Sequence, residues 1–137
     1  MGAVYADSSA LVKLVVDEAE SEAVKAFVSE VGIVSSELTR AEVPRALRRI
    51  ASEHPSFAFE EALLSSEELL EEVTLAPTEG LLLEAAGELP EPNLRTLDAI
   101  HVITAIYLHP IEAFLTYDER QATSARLAGL PTAAPGS

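Results

Sequence analysis

Short apolar runs alternate along this chain with longer segments whose apolar residues recur every three or four positions. The short runs predict buried strands, namely Ala3–Ala6, Ile33–Ser35, Val73–Ala76 and Glu112–Leu115, with Leu130–Thr132 as a last edge strand. Strands that alternate with helices form βαβ units, in which the strands pair in parallel. The pattern therefore predicts an α/β fold with a mainly parallel sheet of four to five strands.

The longer segments have the periodicity of amphipathic helices. The segment Arg95–Leu108 is apolar nearly all round, so we expect it to be buried, and Pro44 lies inside another helical pattern that it should kink. The predicted helices are a short one capped by Ser8 or Ser9, Glu18–Val31, one from a Ser35 or Ser36 cap to Ser52, Phe57–Glu72, Pro77–Leu89, Arg95–Leu108 and Glu119–Ala128.

The length of 137 residues predicts a single domain, which we place at residues 1–132, with 133–137 as a frayed tail. Cysteine is absent, which excludes disulfides and thiolate chemistry. No apolar run approaches the roughly 18 residues of a membrane span, and the first residues lack the basic stretch of a signal peptide. We therefore expect a protein of the cytoplasm with no membrane partner.

Acidic residues outnumber basic ones by 23 to 9, which gives a net charge of −14. This balance excludes nucleic-acid binding through a generally basic surface. Residues 50–94 hold eleven Glu and no Lys or Arg, so this segment alone carries −11. Its acids are either the solvated faces of ordinary helices or an acidic face that repels RNA or meets a basic partner.

The four Asp residues of the chain are informative because Asp is a poor former of helices and strands. Asp17 has the position of an ordinary cap, whereas Asp7 and Asp118 follow predicted strands and Asp98 falls in the first turn of the apolar helix. Glu42 falls two turns into the helix after the second strand. Since ligand sites of open parallel sheets lie beyond the carboxyl ends of the strands, these four carboxylates can converge on one rim.

Close carboxylates repel one another, and a fold keeps them together when a cation compensates their charge. Oxygen ligands without Cys or paired His favour a hard ion, Mg²⁺ or Mn²⁺, which suits phosphate chemistry. One such ion is compatible with the pattern, as are two that share a bridging carboxylate. Equally, each Asp could be only a helix cap or a turn residue, and spacing alone leaves both interpretations open.

Four segments, in this order, resemble the motifs of PIN-domain ribonucleases, in particular the VapC-type toxins. They are Asp7–Leu14 (DSSALVKL), Ser36–Glu42 (SELTRAE), Leu97–His101 (LDAIH) and Leu115–Gln121 (LTYDERQ). The resemblance covers essentially the whole chain. Two features depart from the family pattern, namely the acidity of residues 50–94 and Pro44 beside the second motif.

The resemblance implies a three-layer α/β/α domain that is usually dimeric, cleaves RNA phosphodiesters and is held inactive by a cognate antitoxin. Its metal-binding acids correspond to Asp7, Glu42, Asp98 and Asp118, with Mg²⁺ or Mn²⁺ as the expected cofactor. The surplus of apolar residues, with a mean hydropathy of +0.20, agrees with the homodimer that the family implies.

Further polar residues are candidates for supporting roles. Ser8 and Thr116 could hydrogen-bond a ligand carboxylate or a water molecule, or serve only as caps. His101 is predicted to be a packed, hydrogen-bonded core residue rather than a catalytic base. Candidates for contacts with RNA phosphates or with an acidic antitoxin stretch, unless they pair with nearby Glu, are Arg40, Arg45, Arg48, Arg49 and Arg95.

Two alternatives from other functional classes remain at this point. A catalytically silent PIN-like binding module would have the same fold, although the presence of all four acids argues against it. A phospho-acceptor receiver domain needs paired acids after its first strand and a late Lys. Here Ser8 and Ser9 follow Asp7, and no Lys occurs after Lys25.

Overall fold

A computed structural model, which describes residues 2–137, contains one sheet of five parallel strands. The strands are β1 (Ala3–Ala6), β2 (Gly32–Ser36), β3 (Thr74–Ala76), β4 (Ala113–Leu115) and β5 (Thr132–Ala133). Their order across the sheet is β3-β2-β1-β4-β5. The first four strands lie within a residue of their predicted positions, because each is a short apolar run between turn residues.

Seven helices within the described residues cover the two faces of this sheet. They are α1 (Ser8–Lys13), α2 (Ser21–Val28), α3 (Thr39–Glu53), α4 (Phe59–Glu72), α5 (Gly80–Gly87), α6 (Thr96–Leu108) and α7 (Glu119–Leu127). The helices α1 to α4 pack on one face and α5 to α7 on the other. The predicted α/β/α architecture is thereby confirmed.

Successive side chains of β1 point into opposite cores, as the period of two requires. Val4 and Ala6 pack with the helices α1 to α4, whereas Tyr5 packs with α6 and α7. The Tyr5 ring stacks on that of Phe114 in the neighbouring strand, with centroids 5.1 Å apart and an interplanar angle of 5°. Both rings are completely buried, so the centre of the sheet is rigidly packed at the site described below.

Helix α6 is the most enclosed element, because Ala99–Ala105 are seven consecutive buried residues. It is held between α5 and α7 against the sheet. The apolar character of the segment on all sides predicts this placement. Its position fixes the first turn of the helix, and with it Asp98, beside the ends of the strands.

Helix α3 begins later than the capping pattern predicts. Ser35 and Ser36 still belong to β2, and the Ser36 hydroxyl accepts a hydrogen bond from the Leu38 N–H in the turn that follows. The helix then continues through Pro44 as one element. Pro44 is only its sixth residue, so the missing N–H costs a single early hydrogen bond.

The last residues differ from the frayed tail that the sequence predicts. The fifth strand crosses the expected boundary, and the Thr116 N–H donates to the carbonyl of Ala133 at 3.2 Å. The Tyr117 hydroxyl donates to the Pro135 carbonyl at 2.7 Å, and the Ser137 N–H donates to the Ala134 carbonyl at 3.1 Å. Hydrogen bonds from the segment after β4 therefore hold the tail, which local composition does not reveal.

In the part of the chain that the structure describes, no helix has the length and apolar character needed to cross a membrane.

We expect Leu47→Ala to lower the free energy of unfolding by about 2–5 kcal/mol, because it leaves a cavity in the core. Leu47 lies on α3 and is completely buried against α1 and the sheet. The matched control is Leu64→Ala on α4, whose side chain is 62% exposed and should matter by less than about 0.5 kcal/mol. Urea unfolding of both variants measures the difference, and equal losses would contradict the packing described here.

Candidate functional site

The strand order reverses between β1 and β4, and this point is where open parallel sheets bind ligands. From β1 the chain proceeds outward through β2 and β3, whereas β4 and β5 lie on the other side. Asp7 follows β1 directly, and Thr116 follows β4. The two side chains meet at this crevice, where the Thr116 hydroxyl lies 2.8 Å from Asp7 Oδ2.

Asp7 is both a helix cap and a buried charge. Its Oδ1 accepts from the Ala10 N–H at 2.9 Å and from the Ser9 hydroxyl at 2.7 Å, and the side chain is only 5% exposed. Burial raises the pKa of the Asp7 carboxyl above its usual range, although the hydrogen bonds from Ala10, Ser9 and Thr116 oppose that rise. Asp7 can therefore cap α1 and also bind a metal ion. The groups that it caps or accepts from are neutral, so its negative charge has no cation beside it.

Asp98 and Asp118 form a pair of like charges. Burial raises the pKa of Asp98, the negative charge of Asp118 raises it further, and the Arg95 guanidinium opposes both effects. Arg95 Nε lies 3.5 Å from Asp98 Oδ2, and a terminal nitrogen lies 3.9 Å from Asp118 Oδ2. Because the Arg95 side chain is 75% exposed, this bridge is weak and readily exchanged.

Glu42 reaches the site from the opposite helix layer. It lies on α3, and its Oε1 is 2.7 Å from Nε2 of His101 on α6. His101 Nδ1 is in turn 2.7 Å from the Tyr5 hydroxyl. His101 is only 1% exposed, so it is the packed, hydrogen-bonded residue that the sequence predicts. It also lies near Asp7 and Asp98.

Gln121 connects the segments that bear Asp98 and Asp118 and reaches Asp7 through Thr116, and sequence reasoning missed it. This fully buried side chain has Oε1 2.6 Å from the Thr116 hydroxyl, while its Nε2 donates to the Asp98 carbonyl at 3.3 Å. Its main-chain N–H donates to Asp118 Oδ1 at 3.0 Å. The available signal was its spacing, because the only Gln of the chain stands three residues after Asp118 and so faces the same side of the helix.

The four predicted acids fit a hard divalent cation by their chemistry. Among residues 2–137, no three carboxylate or imidazole side chains stand ready-grouped around a single point. Instead, Asp7 is bound to hydroxyl and amide donors, Glu42 to His101, and the pair Asp98 and Asp118 to Arg95. The donor set consists of oxygens only, and the raised pKa values of Asp7 and Asp98 indicate negative charge that the protein compensates incompletely.

The predicted arginine cluster divides between two sides of α3. Arg45 and Arg49 line a groove of about 620 Å³ between α1 and α3, and Glu42 lines the same groove. Arg48 instead lies over the Phe59 ring, 5.0 Å from its centroid, and Arg40 lines a separate hollow against α4. Helical spacing explains the division, since residues four apart share a face.

The hydroxyl residues near Asp7 have different contacts. Thr116 contacts Asp7 Oδ2, and the hydroxyl that donates to Asp7 Oδ1 belongs to Ser9 rather than to Ser8. Ser8 lines the groove beside Glu42. The first turn of α1 decides which of the two adjacent serines faces the carboxylate, and the sequence alone does not distinguish them.

Known proteins resemble this chain over nearly its full length. Residues 4–127 match the family model of the PIN domain. Ribonuclease VapC46 of Mycobacterium tuberculosis is 39% identical over 137 residues, which cover 98% of this chain and 99% of the relative. Ribonuclease VapC35 of the same species is 32% identical over 139 residues, with 97% of each chain covered.

Solved structures share the fold at low sequence identity. The M. tuberculosis toxin VapC20, described as cleaving the sarcin-ricin loop, superposes with a TM-score of 0.74 at 16% identity, covering 96% of this chain and 99% of its own. VapBC2 of Rickettsia felis, solved with a DNA fragment from its promoter, gives a TM-score of 0.68 at 12% identity, covering 97% and 98%. The arrangement of layers described above is therefore common to these proteins.

The raised pKa of Asp7 predicts a pH-dependent stability in metal-free buffer. The folded protein holds the Asp7 proton to higher pH than the unfolded chain does, so the contribution of Asp7 to stability is fully present below the ordinary pKa of Asp, near 4, and is lost as pH rises through the raised value. We expect Asp7→Asn to remove this fall and to unfold at higher urea concentration than the parent at pH 7.

Urea unfolding across this pH range, in the presence of a chelator, measures the effect. Asp17→Asn is the control, because Asp17 is exposed at the surface and should leave the pH dependence unchanged. A lower stability of Asp7→Asn at pH 7 would show that the ionised carboxylate is well compensated without metal.

Proposed function

Because this chain belongs to the PIN-domain family and is a ribonuclease of the VapC type, we propose that Asp7, Glu42, Asp98 and Asp118 form its metal centre and that it cleaves RNA internally. Enzymes of this family generally depend on divalent metal, and Mg²⁺ or Mn²⁺ is the proposed ion here. The family match excludes the receiver-like alternative, and the ribonuclease relatives disfavour a silent module.

One observation carries the proposal. Asp7 is buried at the reversal point of the sheet and, in the described part of the chain, no Lys or Arg forms an ion pair with it. Asp98 and Asp118 repel each other, and the exposed Arg95 is the cation that pairs with both. Such uncompensated charge is costly in a purely structural role, whereas a divalent cation would make it favourable.

Each group then has a distinct task. When bound, the metal polarises the scissile phosphate and lowers the pKa of an attacking water molecule. Asp7, which follows β1, Asp98 of α6 and Asp118, the cap of α7, would hold the cation together with Glu42 of α3. Arg95 lies at the entrance, where its guanidinium can leave the carboxylates and bind a phosphate oxygen of the RNA.

RNA is proposed to approach along the groove between α1 and α3, where Arg45 and Arg49 are exposed beside Glu42. The opposite approach is unfavourable, because six exposed Glu of the 50–94 segment lie on α4. Lys13 also lines the groove, but its ammonium is 2.8 Å from Glu20 and 3.3 Å from Glu18. The two arginines therefore supply the available positive charge of this groove.

Toxins of the VapC type pair with VapB antitoxins, and we extend this to a cognate antitoxin for the present chain. The same basic groove would accept an acidic stretch of that partner, which would exclude RNA by occupying its place. A homodimer is proposed as the assembly, and the cytoplasm as the place of action. Two exposed leucines of α5, Leu81 and Leu83, offer apolar surface for the second copy.

Asp98→Asn tests the metal centre. We expect cleavage of a labelled RNA under single-turnover conditions with Mn²⁺ to fall by roughly two orders of magnitude or more, because an amide lacks the charge that holds the ion. Circular dichroism should show an unchanged fold, and Asp17→Asn should cleave like the parent. Undiminished cleavage by Asp98→Asn would rule out the assignment.

Charge reversal on α3 tests the proposed entry side. In the inactive Asp98→Asn background, Arg45→Glu with Arg49→Glu should weaken RNA binding about tenfold or more and should flatten its dependence on salt. The matched control reverses Arg40 and Arg48, which face α4 on the same helix. Binding by fluorescence anisotropy at several salt concentrations measures both pairs, and a larger loss from the control pair would place RNA on the other side.

A further inference from the structure

Glu42 is the one proposed ligand that depends on a long side chain from another layer. Asp7 and Asp118 follow strands directly, and Asp98 lies in the first turn of the buried helix α6. Glu42 reaches across from α3, which packs on the other face of the sheet. Its three side-chain torsions leave many positions open to the carboxylate, so a metal centre needs a contact that selects one of them.

His101 makes that contact, and its own orientation is fixed. The Tyr5 hydroxyl is 2.7 Å from Nδ1, and Glu42 Oε1 is 2.7 Å from Nε2. Tyr5 itself is held by stacking on Phe114 and by an edge-on contact with the imidazole, with ring centroids 5.8 Å apart. The line of contacts therefore runs from the rigid centre of the sheet to the carboxylate of α3.

The direction of the hydrogen bonds depends on which ring nitrogen of His101 carries the proton. Ser35 and Thr104, which adjoin the Tyr5 hydroxyl, donate to the carbonyls of Ala6 and Ile100. With neither hydroxyl donating to it, Tyr5 directs its own O–H at His101 Nδ1, 2.7 Å away. An imidazole that accepts at Nδ1 carries its proton on Nε2, where it donates to Glu42.

We propose that His101, aligned by Tyr5, is a positioning residue that fixes the Glu42 carboxylate for divalent-metal binding. The inference rests on the proposed function, in which Glu42 is a ligand. His101 does not serve as a catalytic base, because both ring nitrogens are engaged and the side chain is enclosed. Helix α6 thus supplies one ligand, Asp98, and the residue that orients another from the opposite layer.

Mn²⁺ binding to the full-length protein, measured by isothermal titration calorimetry, tests the proposal without reference to RNA cleavage. His101→Leu should weaken Mn²⁺ binding by about tenfold to a hundredfold. His101→Gln, whose amide restores a donor at a similar distance, should recover part of that loss. Tyr5→Phe removes only the hydroxyl that sets the proton position, and we expect it to weaken binding several-fold.

A double-mutant cycle with Glu42→Gln separates positioning from packing. If His101 acts through Glu42, adding His101→Leu to Glu42→Gln should cause no further loss of Mn²⁺ affinity. Losses that multiply would overturn the proposal, since a merely structural role weakens binding with or without the carboxylate. Where His101→Leu fails to fold, Tyr5→Phe decides, and an unchanged affinity of that variant would overturn the proposal as well.

The same measurements distinguish this proposal from the proposed function. If Glu42→Gln binds Mn²⁺ like the parent while Asp98→Asn does not, the positioning role is wrong and the metal centre of the three Asp stands. If neither variant changes Mn²⁺ binding, the metal centre itself is wrong. Thermal melting of every variant in chelator provides the common reference for folding.

Discussion

The Asp7 carboxylate lies out of water at the point where the strand order of the sheet reverses, and the surrounding structure responds to its charge. A buried carboxylate without partners is expensive, because the interior replaces its hydration poorly. Main-chain and hydroxyl donors from α1, and the hydroxyl of Thr116 after β4, replace part of that hydration. None of these donors carries a full positive charge, so the fold tolerates the carboxylate without neutralising it. The negative charge of Asp7 that these donors do not neutralise makes the location suitable for a cation.

Thr116 connects this charge to the rest of the site through a shared proton. Its hydroxyl lies 2.8 Å from Asp7 Oδ2 and 2.6 Å from Gln121 Oε1, yet it has only one proton to donate. When Asp7 is ionised, that proton is drawn towards the carboxylate and Gln121 loses a donor. Gln121 also anchors the Asp98 carbonyl and the cap at Asp118. The charge state of one carboxylate is therefore linked to the segments that present two others.

The sequence predicts the strands and the residues at their ends well, because both depend on local patterns. Short apolar runs place the strands, and residues that directly follow them, such as Asp7, must lie at the carboxyl edge of a parallel sheet. What the sequence does not reveal depends on the rotation of individual helices. One turn of α1 decides that Ser9 rather than Ser8 reaches Asp7, and the pitch of α3 sends Arg48 to Phe59 while Arg45 faces the groove. The sequence analysis did not identify Gln121, because an uncharged amide side chain does not stand out by its charge. Its contacts nevertheless extend across the site.

The distribution of charge explains how so acidic a chain can act on a polyanion. Electrostatic attraction of RNA depends on the field along its path rather than on net charge. The helix α4 carries six exposed Glu on the far side of α3 from the groove, while Arg45 and Arg49 stand beside Glu42. A polyphosphate is thus repelled from one side of α3 and attracted to the other. Screening over about 8 Å at physiological salt keeps these two fields separate, so the acidic helix restricts the direction of approach and leaves the basic groove as the open path to the carboxylates.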